Sequence, residues 1–298
     1  MSHRDPLAAL GRALREEGYS FVTPTPETHR RVLARRGEAR TLRDVFGWSL
    51  PFAKGKLPER MESLLSAAGA LLREGPLLRS AVRYSTLDGM LFAHTAYPTV
   101  EADAVFFGPD TYRFAALIQA RIERPGNVAD VGCGSGAGGL LLARRARSVQ
   151  LLDVNPRALR FASANAELNG ANARVAQSDV VAGAEGPLDL IVANPPYLAD
   201  DLGRAYRDGG AGLGTALSAR IVAEALDRLG RGGRLLLYTA TPVIDGAHAL
   251  WPALEPLLAK TRYDYRELDP DVFGEELDRP AYAHVERIAV VALDAAKL

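Results

Sequence analysis

Asn194-Pro195-Pro196-Tyr197 follows the apolar run Leu188–Ala193, and upstream lies a glycine-rich turn, Asp130-Val131-Gly132-Cys133-Gly134-Ser135-Gly136. Neither proline has an N–H to give a β-ladder, so a strand ending here must leave its sheet with fixed dihedrals. The corner presents two acceptors, the Asn194 side-chain oxygen and the Pro195 carbonyl. Together they suit the two hydrogens of a planar –NH₂ group, with the Tyr197 ring packed on its face. The lone pair of an amide or base amine is delocalised and a poor nucleophile. Two such acceptors would orient it and stabilise the charge that develops on nitrogen during transfer of a methyl group. Asn194, Pro195, Pro196 and Tyr197 are the candidate catalytic residues, and their task is to hold nucleophile and methyl carbon in line.

Gly132, Gly134 and Gly136, after an expected strand and before an expected helix, allow a tight turn and close approach of a ligand to the backbone. The same stretch satisfies a dinucleotide pattern with Gly134, Gly136 and Gly139, so charge must separate the readings. A carboxylate at Asp130, beside the turn, repels a pyrophosphate and attracts a sulfonium cofactor that carries a free ammonium group. Asp153 ends the next strand, where an acid can take both ribose hydroxyls, and Ser178-Asp179 ends a third, where a polar side chain can meet an adenine amine. Each acid has a structural alternative: Asp130 as a helix cap, Asp153 as a loop acid, Asp179 as a turn former. Three of them at consecutive strand ends beside a glycine turn favour a cofactor site of Asp130, Gly132, Gly134, Gly136, Asp153, Ser178, Asp179 and Asn194.

These residues need a scaffold. From Gly126 onward strands and helices alternate, which predicts an α/β fold with a mainly parallel sheet and helices on both faces. Strands are expected at Val128–Val131, Val149–Asp153, Arg174–Ala176, Leu188–Ala193, Arg234–Thr239 and Glu286–Ala292. Helices are expected at Gly138–Arg145, Pro156–Leu168 and Ala216–Leu229. Before the sheet, residues 1–98 read as a small, mostly helical recognition domain that ends in a β-hairpin, and residues 99–298 as the chemical domain. Leu7, Leu10 and Leu14 recur at helical spacing, Thr25-Pro26-Glu27 starts a second helix, and a third runs from Pro58 through Leu72. Val82–Ala93 alternates around Asp88-Gly89 and reads as the hairpin; helices ahead of it allow a winged-helix-like arrangement. Phe106-Phe107-Gly108-Pro109-Asp110 joins the two parts and leads into the first helix of the sheet domain, where its turn can cover the cofactor pocket.

The glycine turn, Asp153, Asp179 and Asn194-Pro195-Pro196-Tyr197 together resemble the class I S-adenosylmethionine-dependent methyltransferases, in their nitrogen-methylating branch. The resemblance covers roughly Phe106 to the C-terminus. It implies a Rossmann-like sheet of seven strands with the last one antiparallel, and S-adenosyl-L-methionine as cofactor. It also implies Asp130 and the glycines around the methionine moiety, Asp153 on the ribose and Asp179 by the adenine. Tyr206-Arg207-Asp208-Gly209-Gly210, leading through Gly214 into a helix, is similar to the loop of protein-glutamine methyltransferases that modify peptide release factors. Where that family carries Arg-Pro-Asp/Glu-Thr-Glu, this chain has Gly108-Pro109-Asp110-Thr111-Tyr112. The acceptor implied first is the side-chain amide of a protein glutamine. An exocyclic amine of adenine or guanine, a small-molecule amine, and a cofactor-binding scaffold without transfer stand as alternatives.

The 298 residues are 48% hydrophobic and 24% charged, an ordinary globular composition, and 36 Lys+Arg balance 36 Asp+Glu. No global field draws such a chain to nucleic acid or an anionic membrane. Its one cysteine, Cys133, excludes an internal disulfide and suits a reducing compartment. The charged opening Met-Ser-His-Arg-Asp-Pro and the lack of a membrane-length apolar run of about 20 residues point to a cytoplasmic protein. His3, His29, His94, His248 and His284 show no metal-ligand spacing, so no metal is expected. Ser135 lacks the flanks of a nucleophile elbow and no P-loop lysine is present. A basic run, His29, Arg30, Arg31, Arg35, Arg36, Arg40 and Arg43, is the feature that would serve nucleic acid. Interspersed Glu27 and Glu38 make it read first as a solvated helix surface. Asp200-Asp201 reads as a solvated loop, with proton acceptance as the alternative.

Overall fold

The computed structural model describes residues 5–200 and 203–298. Asp201, His3 and most of the opening hexapeptide lie outside the described residues. In the N-terminal part, helices α1 (Pro6–Glu16), α2 (Pro26–Leu33), α3 (Leu42–Phe46) and α4 (Glu59–Ala67) precede two hairpins, β1 (Leu71–Glu74) with β2 (Leu77–Ser80) and β3 (Val82–Leu87) with β4 (Met90–Thr95). Local chemistry starts the first two helices. Asp5 accepts from Leu7 N–H (2.7 Å) ahead of Pro6, and Thr25 accepts from Thr28 N–H (3.1 Å) ahead of Pro26. The helix expected through Leu72 stops at Ala67 instead. Gly69 adopts a left-handed conformation (φ +66°), and Ala70 N–H bonds back to Leu65 C=O (3.0 Å), which releases the chain into β1. The Asp88-Gly89 turn is as read from the sequence: both residues have positive φ (50° and 72°), the geometry of a two-residue hairpin loop.

The β3–β4 hairpin does not project as a wing. It lies buried between α1 and the sheet domain, where Asn165 clamps its edge by accepting from Ala93 N–H (2.7 Å) and donating to Ala93 C=O (2.9 Å). The N-terminal core of Leu7, Leu10, Leu14, Phe46, Phe52 and Tyr84 continues into Ala158, Phe161 and Leu168 of the sheet domain.

The second part runs α5 (Pro109–Arg121), β5 (Asn127–Val131), α6 (Ala137–Leu142), β6 (Ser148–Asp153), α7 (Pro156–Leu168), β7 (Arg174–Gln177), β8 (Leu190–Ala193) and α8 (Ala216–Arg228). It ends with β9 (Arg234–Ile244), β10 (Ala247–His248), α9 (Trp251–Leu254), β11 (Thr261–Asp269) and β12 (Arg287–Lys297). The main sheet has the order β11-β12-β9-β8-β5-β6-β7, with β10 folded back on β9. Strands β5 through β9 are parallel, and β12 pairs antiparallel with both β9 and β11. The seven-stranded order with an antiparallel last strand is thus the one the resemblance implies. Alternation along β8 feeds both faces. Leu190 and Val192 enter the core under α5 and α6, whereas Ile191 and Ala193 enter the core under α8. Strand β11 was not expected from the sequence. Its Thr-Arg-Tyr-Asp-Tyr-Arg-Glu-Leu-Asp is highly charged because it is an edge strand with mostly exposed side chains, and charge there blocks edge-to-edge pairing. The last strand also outruns the expected Glu286–Ala292, because eleven residues pair along β9 and β11.

Candidate active site

A cavity of about 510 Å³ opens at the C-terminal ends of β5, β6 and β8, where ligands bind in open α/β sheets. It gathers every candidate catalytic and cofactor-binding residue except Gly136, which caps α6 behind the turn with φ +80°. Gly132 and Gly134 also have positive φ (66° and 53°). A Cβ at Gly132 would meet no protein atom within 4 Å and one at Gly134 only Val105 at 3.9 Å, so the turn leaves a bare backbone cradle on the cavity.

The acids do not sit alike. Asp130 is buried, and its Oδ2 accepts from Gly139 N–H (2.7 Å), so one of its oxygens ties down the first turn of α6. Burial pushes its carboxyl up to about 7, against the Gly139 hydrogen bond and with some help from Asp153. Asp153 accepts from Gly134 N–H (2.9 Å) through Oδ2 and from Asn155 N–H (2.9 Å) through Oδ1, so it fixes the glycine turn from below. Burial raises its pKa and these backbone bonds oppose the rise. Ser178 is buried and holds its own loop, donating to Val180 C=O (2.8 Å) and accepting from Gly183 N–H (2.9 Å). Asp179 is exposed at the cavity rim and pairs with Arg220 (2.7 Å).

The tetrapeptide leaves β8 as its prolines require. Pro195 is buried and Asn194 half-buried, both on the cavity wall. Neither the Asn194 carboxamide nor the Pro195 carbonyl has a hydrogen-bond partner among the described residues. Tyr197 is buried with its ring 5.9 Å from that of Phe273, and burial beside the Asp110 carboxylate holds its hydroxyl protonated. The Asp208-Gly209-Gly210 loop supports this corner from outside. Leu198 N–H donates to Arg207 C=O (3.1 Å) and Gly209 N–H to Leu198 C=O (2.8 Å). Gly209 leaves no room for a side chain, since a Cβ there would fall 2.0 Å from Gly214 O and 2.8 Å from Tyr197 Cα.

Sequence reasoning missed several parts of the wall. Asp110 is buried at the first turn of α5, accepts from Tyr238 Oη (2.7 Å) and Arg113 Nη1 (3.1 Å), and lines the cavity with Arg113. Thr25–Glu27, at the start of α2, and Asp271–Glu275, between β11 and β12, close other sides. No local pattern marks them, because they come from segments distant in the chain; Gly108-Pro109-Asp110 alone carried a signal. Asp200 is not a solvated loop acid. Its side chain is 2% exposed and paired with Arg204 and Arg207, and the hydrogen bond from Arg204 holds its carboxyl down at about 2. Such a group is no proton acceptor near neutrality.

Apart from His29, the basic run of the N-terminal part lies on the surface, as read from the sequence. His29 is buried against Trp48 C=O (2.9 Å), Arg30 and Arg31 pair with Glu27, Arg36 pairs with Asp44 (2.6 Å), and Arg43 lies over the Phe21 ring. Arg30, Arg31, Arg35, Arg36, Arg40 and Arg43 are all exposed. Among the described residues no group of three His, Cys, Asp or Glu side chains is placed to hold a metal ion, and no helix is long and apolar enough to cross a membrane.

Residues 111–245 match the family model of the methyltransferase small domain. These residues, which hold β5 through β9, are a methyltransferase small domain. The chain is 37% identical over 170 residues to a release factor glutamine methyltransferase of Deinococcus radiodurans, covering 52% of this chain and 57% of that protein. It is 33% identical over 127 residues to a ribosomal RNA small subunit methyltransferase C of Alcanivorax borkumensis, covering 41% of this chain and 36% of that protein. These matches thus leave a large part of each relative unmatched. The crystal structure of M. jannaschii tRNA m1G37 methyltransferase shares the fold at 15% identity, with a TM-score of 0.50 over 83% of this chain and 70% of that chain. Asp130 through Tyr197 all fall inside the methyltransferase small domain, whereas Thr25–Glu27, Asp110 and Asp271–Glu275 lie outside the matched stretch.

Proposed function

We propose that this protein transfers a methyl group from S-adenosyl-L-methionine to a planar nitrogen, and that the acceptor is the side-chain amide of a protein glutamine. The observation that carries the reading is the pair of unpartnered acceptors, Asn194 carboxamide and Pro195 carbonyl, on the wall of a cavity that also holds the glycine cradle. A wall acceptor without a partner is poised for a donor brought by a ligand, since burying it unpaired costs about 1–3 kcal/mol. The bare backbone at Gly132 and Gly134, with Asp130 and Asp153 behind it, fits a cationic cofactor with an ammonium group and a ribose. When bound, that cofactor supplies an electrophilic methyl on a sulfonium. Asn194 and Pro195 take the two N–H groups of the acceptor and turn its lone pair toward the methyl, and Tyr197 limits the acceptor to a flat group.

Charge favours a protein acceptor over a nucleotide. Of the acids on the cavity wall, Glu27, Asp110 and Asp179 are paired with arginines, whereas Asp130, Asp153, Asp271 and Glu275 form no ion pair among the described residues; the arginines on that wall are Arg113 and Arg207. Both arginines are already paired, Arg113 with Asp110 and Asp269, Arg207 with Asp200 and Glu276. A phosphate backbone would meet repulsion here and no free cation. The named activity of the Deinococcus relative agrees with this choice, and that of the Alcanivorax relative defines its rival.

The test is transfer of labelled methyl from S-adenosyl-L-methionine into an extract of cells lacking this protein, followed by separation into protease-sensitive, nuclease-sensitive and small-molecule fractions. Label in protein, mapped to glutamine, is the expected result; label in RNA, DNA or small molecules overturns the acceptor, and no label overturns the reaction. In the same assay Asn194→Ala is expected to lower turnover by about 10²-fold or more with cofactor affinity nearly unchanged, as loss of a transition-state hydrogen bond does.

A further inference from the structure

The Asn194–Tyr197 corner is held by a segment that the methyltransferase small domain match does not reach. Between β11 and β12 the chain forms two short 3₁₀ turns, Gly274–Asp278 and Pro280–Tyr282. They close on the residues just after the tetrapeptide. Ala199 N–H donates to Tyr282 Oη (2.8 Å), and the Arg279 guanidinium donates to Ala199 C=O, so both backbone groups of Ala199 are taken by this one segment. Glu276, only 4% exposed, accepts from Arg279 (2.9 Å) through Oε2 and from Arg207 through Oε1. Arg207 also lies 3.3 Å from Asp200, which accepts from Arg204 N–H (2.9 Å) and Nε (3.0 Å). Two segments distant in sequence, 199–207 and 276–282, thus meet in one ion network around the exit of β8.

Ion pairs removed from water contribute little net stability, because desolvation offsets their attraction, but they demand one geometry. Here that geometry is the path of residues 197–200 and 203–209, and therefore the aim of the Asn194 and Pro195 acceptors. We propose that the Gly274–Tyr282 segment is the acceptor-side clamp of the site, and that Glu276 and Tyr282 are positioning residues for methyl transfer. This rests on the methyl-transfer reading above. Neither residue lines the cavity, so they act through Ala199 and Arg207 and leave the cofactor cradle alone.

The test uses Tyr282→Phe, which removes one hydroxyl, and Glu276→Gln, which keeps shape and removes charge, in the full chain. Three quantities are read: amide hydrogen exchange over residues 197–209 and 128–139, affinity for S-adenosylhomocysteine, and labelled methyl transfer into the extract. Exchange over 197–209 is expected to quicken, with 128–139 and affinity unchanged and transfer lowered by up to about 10²-fold, the size expected for reacting groups misplaced by about 1 Å. Unchanged exchange over 197–209 overturns the clamp, whatever transfer does. Faster exchange with wild-type transfer overturns the positioning role, and so does an equal loss of cofactor affinity, which would mark a general structural effect. If the wild-type protein transfers no methyl to any fraction, the methyl-transfer reading fails and the positioning role with it, while the exchange data still report on the clamp.

Discussion

Burial pushes the Asp130 carboxyl up to about 7, far above its usual range, so near neutrality it stands between its two forms. An ionised carboxylate attracts the ammonium group that S-adenosylmethionine and S-adenosylhomocysteine share, and the protonated form does not, so binding at low pH must first release a proton. Affinity for S-adenosylhomocysteine is therefore expected to rise as pH goes from about 5.5 to 7.5 and then level off, and Asp130→Asn is expected to flatten that rise; titration calorimetry at several pH values measures both. The sign for the empty protein is the reverse. With the folded pKa raised above the unfolded value, the stability contributed by protonated Asp130 is complete at acid pH and is lost as pH rises through 7. On the proposed reading the residue exchanges stability for attraction to a ligand, the pattern expected where a charge is placed for binding.

Helices and loops around the corner do what no single residue can. The double proline only forces the chain out of β8; where it goes next is decided by the Asp208-Gly209-Gly210 loop lying against it. Gly209 is the tightest point. An alanine there would place its Cβ 2.0 Å from the Gly214 carbonyl oxygen and 2.8 Å from Tyr197 Cα, both backbone atoms that cannot turn aside. Gly209→Ala is expected to push the tetrapeptide out of place and cost about 1–3 kcal/mol of stability, the usual range for overpacking. Denaturant titration checks the stability, and methyl transfer should fall further than the stability loss alone explains.

At the scale of the whole molecule the N-terminal part is an integral wall of the sheet domain. Phe161 on α7 is 3% exposed and belongs to the same core as Leu7, Leu10 and Phe46. Removing its ring leaves a cavity shared by both parts. Phe161→Ala is expected to cost about 3–5 kcal/mol, as other buried Phe→Ala changes do, and to lower a single unfolding transition rather than split it in two. Two transitions in calorimetry would show that the parts fold independently. The same packing places Thr25–Glu27 on the cavity, so the N-terminal part helps to shape the site.

The local chemistry was legible in the chain itself. Gly132, Gly134 and Gly136 take positive φ because a turn at a strand end needs it, Asp88-Gly89 turns its hairpin for the same reason, and α7 spans Pro156–Leu168 as read, closing on Asn169 and Gly170. These features depend on sterics and hydrogen bonding within a few residues, so the order of amino acids is enough to determine them. The gathering of Asp130, Asp153 and Asn194 at one end of the sheet also followed from strand alternation. Tertiary structure alone decided which side chains were free. Asp200 looked like a loop acid, but Arg207 beside it is held by Glu276, 69 residues further on, and Arg43 lies over the ring of Phe21. The acids at 110 and 271 joined the cavity wall, and Tyr282 reached Ala199, across more than eighty residues of chain. Such contacts arise when distant segments pack to bury their apolar faces, and no local spacing records them.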